Sequence, residues 1–153
     1  MPVVASGIPE LAGLVGDVVG PSGWREVTQD QILAFAELSG DRQWIHVDEP
    51  RARRESPYGA PIAHGNLTLA LIDGFRDELF DVRGFELAIN HGWNRVRFAA
   101  PVPAGARIRA SVQLTDVSEG RRGWWEVTER WTVEVEGAPR PACVAERVNR
   151  VRP

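Results

Sequence analysis

Asp41 and His46 stand five residues apart in the stretch GDRQWIHVDEPRARRESPYGAPIAHG, residues 40–65. A carboxylate and an imidazole on one short loop can share a water molecule or a substrate proton. The same stretch closes on His64-Gly65, where a strongly apolar segment begins. A glycine at a helix start exposes backbone N–H groups that favour a developing negative charge. Together these are the parts needed to add water to a carbonyl-conjugated double bond, or to remove it. Spacing alone also fits a turn aspartate, a packing histidine at 46, and a His64 that serves the helix start.

Other chemistries lose their residues. All 18 basic side chains are Arg, so neither a lysine Schiff base nor a P-loop lysine is available. Cys143 is the single cysteine, which removes internal disulfides and thiolate clusters. Three His without a two-His helical spacing do not make a zinc site, and no G-x-S-x-G occurs. Neither a metal nor a cofactor is therefore expected. A net charge of −3 gives no general attraction to nucleic acid or to an anionic membrane. No run reaches the length of a bilayer span, and the first 20 residues lack the basic start and sustained apolar core of a secretory signal. With a lone Cys, a cytoplasmic setting is the expectation.

The elements that must hold these residues can be read from caps and periodicity. Thr28-x-x-Gln31 is a capping box, followed by the stripe Ile32, Leu33, Phe35, Ala36 and Leu38. Gly40 ends that helix and leaves Asp41 in the first loop beyond it. Asp48 and Pro50 start a short polar helix through Arg51 to Arg54, broken by Ser56-Pro57-Tyr58-Gly59. From Gly65 to about Phe80, the residues Leu67, Leu69, Leu71, Ile72, Phe75 and Leu79 cover much of a helical circumference. Such a helix must be buried, so something must wrap it.

Strands over 87–98 (bent at Gly92), 107–114, 124–136 and 143–151 supply the wrapping, by their period-2 alternation. Turn signals at Pro101-x-Pro103-x-Gly105, Glu119-Gly120 and Glu136-Gly137 join them as an antiparallel meander. The expectation is one α+β domain over 1–153, with residues 1–22 as an arm in which Leu11, Leu14 and Val15 form a helical turn.

Asp41, His46 and the segment IAHGNLTLAL, with GDRQWIHVD and NRVRFAAPVPAGARIR, resemble the MaoC-like (R)-specific enoyl-CoA hydratases of the hotdog superfamily, in particular the nodulation protein N-like branch. The resemblance covers residues 23–151. It implies a hotdog fold, a curved antiparallel sheet around one helix, paired as a homodimer. It also implies hydration of a trans-2-enoyl thioester, on CoA or acyl-carrier protein, to the (3R)-hydroxyacyl form, or the reverse. Asp41 carries over as the base, His46 as its partner on the same water, and the Gly65 amide as the oxyanion donor.

Two positions depart from the family pattern. Gln43-Trp44 replaces Asn-Pro, and Asp73 stands where some hydratases place Ser. Trp44 is a candidate for the pocket wall, His64 for a contact beside it. Asn94, Arg95 and Arg97 are candidates for the acyl or CoA channel, or equally for a solvated strand face. Arg51, Arg53 and Arg54 fit a solvated helix surface better than CoA phosphates. His91 reads as structural or a subunit contact, and Trp124, Trp125 and Trp131 as packing. A thioesterase and a non-catalytic acyl-binding module on the same scaffold are the rival readings.

Overall fold

The computed structural model describes Met1–Pro153. In chain order the elements are β1 (Val3–Ser6), α1 (Gly7–Gly13), β2 (Val18–Val19), β3 (Arg25–Glu26), α2 (Gln29–Ser39), α3 (Trp44–Val47) and α4 (Glu49–Glu55). Then follow α5 (Gly65–Ala70), α6 (Ile72–Leu79), β4 (Phe80–Arg83), β5 (Leu87–Arg97), β6 (Arg107–Glu119), β7 (Trp125–Val135) and β8 (Cys143–Arg152). Six strands make one antiparallel sheet in the order β2-β6-β7-β8-β5, with β3 also on β6. Leu67, Ile72 and Phe75 of the helical segment share one core with Ile108, Val112, Val127, Trp131, Val133 and Ala145 of the sheet. This is the hotdog arrangement, and it gives the α5–α6 segment a fixed bed from which to present its N-terminal end.

Local signals hold where they depend on neighbours in sequence. Thr28 Oγ1 accepts from the Gln31 N–H at 3.2 Å and Gln31 Oε1 accepts from the Thr28 N–H at 3.0 Å, closing both halves of the capping box. Gly40 adopts φ 80° and donates its N–H to the Ala36 carbonyl at 2.9 Å, turning the chain sharply into Asp41. The β5 ladder with β8 shifts register on either side of Gly92, so the expected bend there is a pair of bulges.

Long-range placement corrects several expectations. Only β6-β7-β8 form a meander; β5 pairs with β8, so the 99–106 connection crosses to the other side of the sheet. That connection carries Pro101 and Pro103, which lack a ladder donor, and it docks instead on residues 61–63 through Ala63 N–H to Val102 O and Ala104 N–H to Pro61 O. The central helix is interrupted at Leu71 and stops at Leu79. Nor is it apolar all round. Asn66, Ala70, Asp73, Asp77 and Glu78 are exposed, so one of its sides is open. In α2 the inward side is Ile32 and Ala36, while Leu38 faces solvent. The strand expected over 107–114 runs on to Glu119 past a bulge after Leu114, which masked its continuation in the alternation.

Residues 1–22 are built into the fold. β1 lies parallel to β4, Leu11 of α1 is buried, and the Gly16 N–H reaches the Leu114 carbonyl at 2.8 Å. Leu14 and Val15 fall just beyond the end of α1.

Candidate active site

The Asp41 loop is fixed by its backbone and leaves its carboxylate exposed. The Asp41 N–H donates to Ser39 Oγ at 3.3 Å, and Asp41 Oδ1 accepts from the Gln43 N–H at 3.3 Å. The one-turn helix α3 then delivers His46, which is buried. His46 Nδ1 lies 2.7 Å from the Ile62 carbonyl oxygen. A carbonyl can only accept, so Nδ1 carries the proton and Nε2 keeps its lone pair. Two further bonds clamp this turn: Gln29 Nε2 donates to the His46 carbonyl at 2.8 Å, and the Ile62 N–H to the Ile45 carbonyl at 3.1 Å.

His64 is the keystone between the two. It sits at the head of α5, buried, and its Nε2–H donates to the Asp41 carbonyl at 2.9 Å. Its ring stacks on His46 with centroids 3.8 Å apart and planes 24° apart, and packs against Phe35 at 5.0 Å. The ligating atoms of Asp41, His46 and His64 all come within 4.8 Å of one another, a closeness that their spacing in sequence does not reveal. His46 Nδ1 and His64 Nε2 are each taken by a backbone carbonyl, so His46 Nε2 and His64 Nδ1 keep the lone pairs, acceptors for a water or a proton.

Burial pushes the His46 pKa below its ordinary 6.5; the Ile62 hydrogen bond opposes this, the neighbouring His64 adds to it, and Asp41 opposes it weakly. His46 is therefore a neutral imidazole near pH 7. Cys143 offers no alternative nucleophile, since burial raises its thiol to about 11.

Gly65, next to His64, lines an apolar cleft of about 290 Å³ with Tyr58, Ile62, Thr68, Phe98 and Ala142. As the first residue of α5 it carries a backbone N–H without an intrahelical acceptor. A Cβ here would stand 2.6 Å from the Phe98 ring, so glycine is what keeps this end of the cleft open.

Of Asp41, His46, His64 and Gly65 only Gly65 lines the cleft itself, and the other candidates are dispersed. Trp44 lies half-buried under the Arg51 guanidinium, 4.3 Å from its ring centre, outside the lining of the cleft. Asn94, Arg95 and Arg97 are exposed on β5, and none lines the cleft. Arg95 and Arg97 register with Glu146 and Val144, which alternate with the inward Ala145 and Arg147, and Asn94 Nδ2 donates to Glu146 at 2.8 Å. The solvated-face reading fits these three. Arg51 and Arg53 pair with Glu55 and Glu49 one turn away. His91 is exposed at the first β5 bulge, and Trp131 is fully buried in the core.

Sequence reasoning passed over Tyr58 and Phe98 in the cleft wall, and three polar residues on the inward sheet face. Glu129, Arg147 and Asn149 are buried in phase with Val127, Trp131, Ala145 and Val151. That phase was a readable signal, because a charge at an inward position has to be paired or used.

Residues 10–136 match the family model described as "MaoC like domain". The chain is 47% identical over 143 residues to 3-hydroxyacyl-thioester dehydratase Z of Mycobacterium tuberculosis, covering 94% of each. It is 38% identical over 139 residues to nodulation protein N of Rhizobium meliloti, covering 90% of this chain and 86% of that one. Among solved structures, the monoamine oxidase regulatory protein from Archaeoglobus fulgius superposes with a TM-score of 0.76 at 27% identity, covering 90% of each chain. The family model over residues 10–136, together with these relatives, places the chain in the MaoC-like dehydratase family.

Proposed function

We propose that the protein is an (R)-specific hydratase of trans-2-enoyl thioesters, and a dehydratase of (3R)-hydroxyacyl thioesters in reverse. The observation that carries this reading is the convergence of Asp41, His46 and His64 within 4.8 Å at the helix head whose Gly65 lines the apolar cleft. The dehydratase relative at 47% identity supports the same reaction class. In the hydration direction, the Asp41 carboxylate takes a proton from a water that His46 Nε2 orients. The water oxygen bonds to C3, the C2–C3 π electrons move toward the thioester, and its oxygen gathers negative charge. The Gly65 N–H receives that charge, a contribution of roughly 3 kcal/mol for one oxyanion donor in other enzymes. The proton then passes from the Asp41–His46 pair to C2, which restores the thioester carbonyl.

Crotonyl-CoA tests the reaction. The conjugated-enone absorbance is expected to fall with no free thiol released. Thiol release would indicate a thioesterase, and neither change a binding module.

The working form we propose is a homodimer joined through β5. β5 is the outermost strand of the sheet, and Leu87, Ile89 and Phe98 along and just beyond it are 46%, 40% and 47% exposed. An open apolar edge of this length is a strand-pairing surface. Light scattering on the purified protein is expected to give twice the 16.9 kDa chain mass. A monomer at micromolar concentration would overturn the dimer.

A further inference from the structure

We propose that the groove beside α5 and α6 ends in a polar pocket that accepts a neutral oxygen, a hydroxyl or keto group, on the distal part of the acyl chain. This substrate class rests on the hydratase reading above. Two inward polar residues of the sheet, Arg147 and Asn149, line the pocket together with residues of α6 and β5. Val127 pairs in register with Asn149, and Glu129 with Arg147, so the polar groups lie side by side on β7 and β8. Glu129, only 1% exposed, is satisfied: Arg76 Nε donates to it at 3.3 Å and Trp131 Nε1 at 2.9 Å. Arg147 donates through Nη1 to Asp73 at 2.6 Å and lies over Trp93 at 5.6 Å.

Two donors are left over. Arg147 Nε–H and Asn149 Nδ2–H are buried without a partner, in residues 7% and 4% exposed. Both residues line one cleft of about 210 Å³, with Asp73, Arg76 and Asn90. An unpaired buried donor destabilises a fold, and leucine at 149 would pack without that cost. Two unpaired donors in residues that line one cleft mark a place where an acceptor would be held.

The position of the pocket says what brings the acceptor. The apolar cleft and the polar one are bounded by the same three parts of the chain. Gly65 and Thr68 of α5, Phe98 just past β5 and Ala142 just before β8 belong to the first. Asp73 and Arg76 of α6, Asn90 of β5, and Arg147 and Asn149 of β8 belong to the second. Gly65 and Asp73 are separated by about 12 Å at the helical rise. A medium-length acyl chain with its thioester at Gly65, running along this groove, brings its far end to Arg147 and Asn149.

Charge then selects among oxygens. Arg76 and Arg147 stand against Asp73, Asp77 and Glu129, a formal sum of −1 (two positive, three negative). A terminal carboxylate would bring a further negative charge into that set. A hydroxyl or keto oxygen can accept from both orphan donors without a charge being buried.

The test compares trans-2-decenoyl-CoA with its ω-hydroxyl, ω-1 keto and ω-carboxyl derivatives, with crotonyl-CoA as the reference. The wild-type kcat/KM is expected to favour the hydroxyl and keto substrates by about tenfold over the other two long substrates. Asn149→Leu is expected to melt at the same temperature or higher and to bring that ratio close to one. Crotonyl-CoA hydration with no wild-type preference overturns the pocket and leaves the hydratase reading standing. No hydration of crotonyl-CoA or any decenoyl substrate overturns the hydratase reading itself. A ratio that survives Asn149→Leu also overturns the proposal, and a change in the variant's molecular mass would then assign Asn149 to a subunit contact.

Discussion

Asp41→Asn is expected to slow crotonyl-CoA hydration by at least about a hundredfold, the lower end for loss of a catalytic acid–base group. The substitution separates chemistry from structure, because nothing that fixes the loop needs the negative charge. The Asp41 carbonyl, which accepts from His64, and its N–H, which donates to Ser39, are backbone groups. Oδ1 accepts from the Gln43 N–H, and an asparagine oxygen does so equally well. The side chain is exposed, so the melting temperature is expected to shift by no more than an ordinary surface substitution, about 0.5 kcal/mol. What an asparagine lacks is the capacity to take a proton from water at neutral pH. Circular dichroism melting together with kcat from enone absorbance checks both halves. A folded Asp41→Asn protein working at near-normal rate would remove Asp41 from the chemistry.

The sequence disclosed the parts of this site whose geometry is local. A capping box and a left-handed Gly40 are each decided within a few residues, so the placement of Asp41 and His46 just past α2 could be read directly, whereas the one-turn helix that carries His46 lies where a loop is expected. The role of His64 could not be read in this way. Its bond to the Asp41 carbonyl spans 23 residues, and its stacking on His46 depends on how residues 61–64 dock beside α3. The sheet shows the same division. Alternation located β5, β6, β7 and β8, but β5 lies beside β8 because the proline-bearing connection after it crosses over, a choice made by tertiary packing. Asn94, Arg95 and Arg97 are exposed on that outermost strand. The inward polar set was a different kind of miss. Glu129, Arg147 and Asn149 occupy core phase in strands already recognised, and reading only the apolar members of that phase concealed them.

His46→Ala is expected to lose as much activity as Asp41→Asn, and to lose stability as well. Removing the ring leaves the Ile62 carbonyl without its donor and strips His64 of its stacking partner, a cost of about 1–3 kcal/mol for the orphaned acceptor alone. His46→Gln separates the two effects. An amide N–H can be offered to the Ile62 carbonyl, but no imidazole lone pair is returned to the water. Its melting temperature is expected to lie above that of the His46→Ala protein, with hydration still at least about a hundredfold down.

The wild-type pH profile tests the same group without mutation. Because burial holds the His46 pKa below 6.5, the neutral imidazole persists as the pH drops through that value, and kcat/KM is expected to begin falling only below it. The stability sign follows from the same shift. Below 6.5 the unfolded chain takes up a proton that the folded one resists, so the contribution of His46 is complete above 6.5 and declines as the pH falls. An acid limb centred above 6.5 would mean that the group titrating in the reaction is not the buried imidazole held by Ile62. The water-activating role would then have to be reassigned.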